Sequence, residues 1–207
     1  MSKEKYEVQF NRAVEDINRV VGVNIIEDAI LKIIYDMNYK CYGTVSENNY
    51  KIIGISDIHL KDSRVDKVYN TMCHEFIHHI LFKVIDNSKK ITDYSFGRDD
   101  SPLFCLLAIW FNKHGFRIPQ NYNVNRKFKN NIEFIKEMSE GSFEEVFKFI
   151  NEFFDYIGDC GLYIKISDRH KKSCRNKEAE YGSNVLNLAS DFDLKNYISF
   201  IEGFRYI

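Results

Sequence analysis

The chain has 207 residues, 44% of them hydrophobic, with 17 Phe, 13 Tyr and only two Pro. A formal net charge of -1 excludes a polycation built for nucleic acid, and 29% charged residues beside so much apolar material argue against a disordered chain. One substantial core is expected, or one core with a small appendage. No run approaches the ~18 apolar residues needed to cross a bilayer, so no membrane span is expected. The longest run, Leu103 to Phe111, suits a buried helix. The opening MSKEKYEVQF mixes both charges and lacks an apolar signal core. Cys41, Cys73, Cys105, Cys160 and Cys174 are dispersed and form no C-x-x-C pair. These features predict a reduced, cytoplasmic protein with packing cysteines.

In chain order, apolar residues at helical spacing (Val8, Val14, Ile17, Val20 and Val21) predict a helix over about 4–20, and a second helix is expected over 25–37. Tyr42 to Val45, a polar turn at Ser46 to Asn49, and Tyr50 to Ser56 read as a β-hairpin. The run Lys51-Ile52-Ile53-Gly54-Ile55-Ser56 is β-branched enough to prefer strand over helix. A third helix is expected over 65–85, then a polar loop over 86–100. Clear end signals bound a fourth helix: Ser101 as N-cap, Pro102 at the first helical position, Gly115 after the last turn. Residues 120–131, rich in Asn and Lys, read as a linker. Two helices follow, over about 129–138 and over 143–157 behind the capping box Ser142-x-x-Glu145. A short strand over 162–166, a basic loop and a helix over 194–204 complete the reading.

Within the third helix stands His74-Glu75-Phe76-Ile77-His78, an H-E-x-x-H sequence. Residues four apart lie one above the other on a helix, so both imidazoles can grip one ion. Glu75 stands beside them, placed to take a proton from water activated by that ion. Met72, Phe76 and Ile80 lie ~200° around the helix from the histidines and should face a core. His79, turned ~100° from His78, is expected to pack or to support a ligand rather than bind the metal.

A catalytic zinc takes three protein ligands and leaves a fourth position open. Asp100, just ahead of the fourth helix, is the best candidate for the third ligand, because a helix N-terminus favours a carboxylate. Asp99, His114 and a later glutamate are its rivals. His114 and Asp100 stand ~20 Å apart along a helix and cannot share an ion.

The motif and Asp100-Ser101-Pro102-Leu103-Phe104 together resemble the SprT-like zincin metallopeptidases. In that family a helix, a β-hairpin and an H-E-x-x-H helix are followed by His-Ser/Gly-Pro-x-Phe, with His where this chain has Asp. The resemblance covers about residues 42–111, and the family's C-terminal zinc ribbon is missing. It implies an α+β, mostly helical, zincin-like domain over residues 1–118, with a small sheet beside the H-E-x-x-H helix. A mostly helical C-terminal region over 119–207 would pack on it or be tethered to it. It also implies one Zn2+ held by His74, His78 and Asp100, with Glu75 as general base for hydrolysis of a protein or peptide substrate. The strand Tyr50 to Ser56 would border the cleft, and an extended peptide would add to it.

Two other functions fit the same residues: a non-catalytic zincin-like binding or regulatory module, and a zinc amidase. An intact Glu75 speaks against the first, since a purely structural site has no use for a base. Tyr94 is one donor for an oxyanion, but nothing singles it out. His59 reads as a surface histidine. The basic segment Lys165 to Lys177 can contact phosphates, although a solvated loop explains it equally well.

Overall fold

The computed structural model describes residues 3–35, 42–46, 49–58, 65–88, 97, 99, 101–118 and 132–159. Its elements in chain order are α1 (Lys3–Val21), β1 (Ile30–Ile34), β2 (Gly43–Ser46) and β3 (Asn49–Ser56), then α2 (Val65–Ser88), α3 (Pro102–Lys113), α4 (Ile132–Met138) and α5 (Phe143–Asp159). The fold is α+β and mostly helical, with one three-stranded sheet in the order β1-β3-β2.

The hairpin forms as expected: β2 and β3 pair antiparallel, with an irregularity between Val45 and Ser46. The helix expected over 25–37 does not form. Its second half is β1, which pairs parallel to β3 with Ile30 opposite Ile52 and Ile34 opposite Ser56. Ile30-Leu31-Lys32-Ile33-Ile34 is short, apolar and rich in branched side chains, and in such a run periodicity does not separate helix from strand. Tertiary pairing decides.

Helix α2 lies at the centre, against β2 and β3 and against α1, α3 and α5. Val68, Met72, Cys73, Phe76, Ile77, Ile80, Leu81 and Ile85 are all buried, so apolar side chains surround most of this helix. The expected core face is there: Met72, Phe76 and Ile80 are at most 1% exposed. On α1, Tyr6, Phe10, Ala13 and Ile17 recur at helical spacing and are buried, with Phe10 against Phe76 at 5.3 Å between ring centroids.

Helix α3 has the ends its sequence announces. Ser101 Oγ accepts from the backbone N–H of Leu103 at 3.0 Å and of Phe104 at 3.4 Å, a cap that contributes about 1 kcal/mol. Beyond His114 the chain turns at Gly115 with φ of 94°, a value that favours glycine. The capping box of α5 is also formed: Ser142 N–H donates to Glu145 Oε2 at 2.7 Å, and Glu145 N–H donates to Ser142 Oγ at 3.3 Å. Phe149, Phe153 and Phe154 of α5 join the same apolar core as α2 and α3. The expected strand over 162–166, the basic segment Lys165 to Lys177 and the final helix lie outside the described residues. Among the described residues, no helix is long and apolar enough to cross a membrane.

Candidate metal centre

One helical turn separates His74 from His78 on α2, and their Nε2 atoms lie 3.3 Å apart. Asp99 joins them. Its Oδ1 stands 2.9 Å from His74 Nε2 and 2.8 Å from His78 Nε2. Among the described residues, these three side chains are the one group close enough together to hold an ion. The imidazoles are 13% and 12% exposed and the Asp99 side chain 40%, so the triangle reaches solvent on the Asp99 side.

Proton positions test whether a cation fits. His78 Nδ1–H donates to the Gly97 carbonyl at 2.6 Å, which in the neutral ring leaves a lone pair on Nε2. That lone pair points toward His74 Nε2 and Asp99 Oδ1, and Asp99 Oδ1 is buried with no hydrogen-bond donor aimed at it. Either a cation among the three atoms or a proton on an imidazole Nε2 answers the charge of the Asp99 carboxylate. Bonds of about 2.0–2.2 Å, as zinc makes to His N and Asp O, can be made to atoms at this spacing. The residues fit a divalent cation.

The charges point the same way. Burial works against the Asp99 carboxylate, but the His74 and His78 imidazoles outweigh it and hold the carboxyl well below the usual range. Burial also works against a charged His78, yet Asp99 and Glu75 overcome it and raise the ring's pKa. Positive charge is favoured at this point.

Glu75 is only 5% exposed. Burial pushes its carboxyl upward, while His78 and His74 pull it down by a smaller amount. The carboxylate lies against Gly43, the first residue of β2, where a Cβ would stand 2.5 Å from Glu75 Oε1 and 2.7 Å from its Cγ. A side chain at position 43 would occupy the space the carboxylate uses.

Aromatic rings wall the imidazoles. Phe104 of α3 is 4.9 Å from the His74 ring and 4.7 Å from the His78 ring, and Phe82 stacks on His78 at 5.9 Å. Such a shell lowers the local dielectric and limits water around the ligands. The Ser101 cap fixes the start of α3 and so the position of Phe104.

Of the expected site residues, His74, Glu75 and His78 come together. Asp100 lies outside the described residues, and the carboxylate found at the imidazoles belongs to its neighbour Asp99. His114 is elsewhere, at the far end of α3, stacked on Trp110 at 3.9 Å with its Nδ1–H donating to the Trp110 carbonyl at 2.8 Å. His79 packs, as expected: it is fully buried and donates from Nδ1 to the Tyr50 carbonyl at 2.8 Å. Tyr94 and His59 lie outside the described residues. Strand β3 cannot accept an added peptide along its middle, because Ile53, Gly54 and Ile55 are paired on both sides. Among the described residues, the sheet edge nearest Glu75 is β2.

Phe104 enters the sequence reading only as the last residue of the Asp100-Ser101-Pro102-Leu103-Phe104 segment, and Gly43, Gly97 and Phe82 carry no site motif. For the two glycines the local signal is an isolated glycine at the start of a strand and another in a polar stretch, and neither names its neighbour. Compared with family models, with curated proteins and with solved structures, the chain shows no significant match.

Proposed function

We propose that this chain is a zinc-dependent peptidase of zincin type. The observation that carries the reading is the convergence of His74 Nε2, His78 Nε2 and Asp99 Oδ1 beside the buried carboxylate of Glu75. Two histidines and one carboxylate from the protein suit a catalytic zinc, which keeps a further position for water or substrate. The order of helix, hairpin and H-E-x-x-H helix supports the SprT-like resemblance, although the carboxylate at the imidazoles, Asp99, stands one residue ahead of Asp100, which aligns with the family's third histidine.

Zinc would supply Lewis acidity, bringing the pKa of water from ~15.7 toward ~7. Glu75 takes the proton from the attacking water and returns it to the leaving amine. Burial shifts its pKa upward, the direction that helps a base release the proton it has accepted. Gly43 leaves the carboxylate room, and Phe104 and Phe82 keep bulk water from the imidazoles.

The test is metal analysis of the purified protein, followed by incubation with a mixed peptide library and mass-spectrometric reading of new termini. About one zinc per chain is expected, with cleavage that a chelator stops and added zinc restores. Protein that binds no zinc would sink the reading.

A further inference from the structure

The metal ligands come from two separate pieces of chain. Helix α2 holds His74 and His78, but Asp99 comes from beyond the helix and must be brought back to it. Gly97 stands at that junction. Its carbonyl accepts the His78 Nδ1–H at 2.6 Å, and Asp99 follows two residues later. The same residue lies on the ring of Phe82, where a Cβ at position 97 would stand 2.5 Å from Phe82 Cδ1 and closer still to Cε1. Phe82 has little room to retreat: it is 5% exposed and stacked on His78.

We propose that Gly97 is the positioning residue of the metal centre: the space left by its missing side chain lets its carbonyl reach His78 Nδ1 and sets Asp99 beside both imidazoles. A Cβ there has two outlets. Either the Gly97 backbone lifts off Phe82, stretching the hydrogen bond and withdrawing Asp99, or the Phe82 ring is driven against His78. Both disturb the ligands, and neither touches Glu75 directly. The hydrogen bond holds the His78 proton on Nδ1 and so keeps the Nε2 lone pair free for an ion, a role in which loss of the partner typically weakens metal binding 10–100-fold.

This inference rests on the metal reading above, and the experiment separates the two. Zinc affinity of the full chain is measured by competition with a chromogenic chelator, with zinc itself as the probe. Gly97→Ala should bind zinc about 10–100-fold more weakly than wild type. Gly54→Ala is the control. A Cβ there meets Ile34 Cδ1 at 2.5 Å and Thr44 Cγ2 at 2.8 Å, a comparable clash on the central strand. It should lower the melting temperature and leave zinc affinity unchanged. The double variant Gly97→Ala/Phe82→Leu makes room for the new Cβ and should recover most of the lost affinity. If Gly97→Ala fails to fold, this double variant carries the test against Phe82→Leu alone, with zinc binding near that reference expected. Zinc affinity equal to wild type in Gly97→Ala, equal loss in Gly97→Ala and Gly54→Ala, or no recovery in the double variant would overturn the proposal. A wild-type protein without zinc affinity would instead remove the proposed function, and this inference with it.

Discussion

The carboxylate of Glu75 and the α-carbon of Gly43 are in such close contact that one added methyl group on Gly43 would stand 2.5 Å from Oε1. A strand of the sheet and the base of the proposed reaction therefore share one small volume. Gly43→Ala must push the carboxylate away from that position, and because Glu75 is buried it has few places to go. Misplacing a reacting group by about 1 Å can cost ~10²-fold in rate. Peptide turnover should fall by about that factor, while zinc content stays at the wild-type level because the three heavy atoms nearest the new methyl all belong to Glu75. Paired measurement of zinc content and turnover checks this. Loss of zinc in Gly43→Ala would show that the strand supports the ligands instead of the base.

Glu75→Gln keeps the size of the side chain and removes its basicity. Positioned proton transfer contributes about 10²–10⁴-fold, so turnover should fall by a factor in that range with zinc retained. Peptide cleavage that survives the change at the wild-type rate would eliminate Glu75 as the base.

The third ligand can be assigned by zinc content alone. Asp99→Ala removes the oxygen that stands 2.8 Å and 2.9 Å from the two imidazoles, and should lose zinc on dialysis. Asp100→Ala and His114→Ala should retain it. His114 is occupied with Trp110, and its ring contributes to packing around the end of α3. Zinc loss in Asp100→Ala with retention in Asp99→Ala would reverse the assignment.

That one-residue question marks where the sequence stopped being readable. The two imidazoles followed from helical geometry, which converts a spacing of four into a shared face without knowledge of the rest of the fold. Both ends of α3 and the start of α5 were legible for the same reason: Ser101, Gly115 and the pair Ser142 and Glu145 act on backbone groups within a few residues of themselves. The hairpin carried its own turn. By contrast, β1 exists because β3 is there to pair with it, and a run of five residues does not announce its partner. The choice between Asp99 and Asp100 depends on how the backbone turns between Gly97 and the Ser101 cap, since adjacent carboxylates in a loop can face different ways. The roles of Gly43 and Gly97 are set by Glu75 and Phe82, which lie 32 and 15 positions away in the chain. An absent side chain leaves no local trace of what fills its place.

Cys73 and Cys105 are 0% and 2% exposed, and burial pushes both thiols up to about 12. The thiolate is the reactive form, so both should be silent toward alkylating reagents near pH 8 in the folded protein. Iodoacetamide treatment before and after denaturation, followed by peptide mapping, should show these two modified only after unfolding. Native labelling of Cys73 at the rate of a free thiol would mean that α2 is not packed on α1 as described.

Away from the metal centre, Asp28 ties the segment before β1 to α2. Lys83 Nζ lies 2.9 Å from its Oδ1, Lys51 Nζ lies 3.5 Å from its Oδ2, and His79 Nε2 lies 3.3 Å from Oδ1. Burial works to raise the Asp28 carboxyl, but the hydrogen bond and charge of Lys83 outweigh it and leave the pKa below its ordinary value. The charged form of His79 lowers the Asp28 pKa further, although burial lowers the pKa of His79 itself and favours its neutral ring. A carboxylate with a depressed folded pKa stabilises the fold fully above its unfolded value, ~3.9, and loses that contribution as pH falls below it toward the folded pKa. Asp28→Asn should therefore cost about 1.5–3 kcal/mol near pH 7, the range for hydrogen bonds to charged groups. The gap between variant and wild type should narrow as pH drops below the ordinary carboxylate range. Urea unfolding of both proteins over a pH series measures it directly. A gap that stays constant down the series would assign the loss to packing and remove the ion pair as its cause.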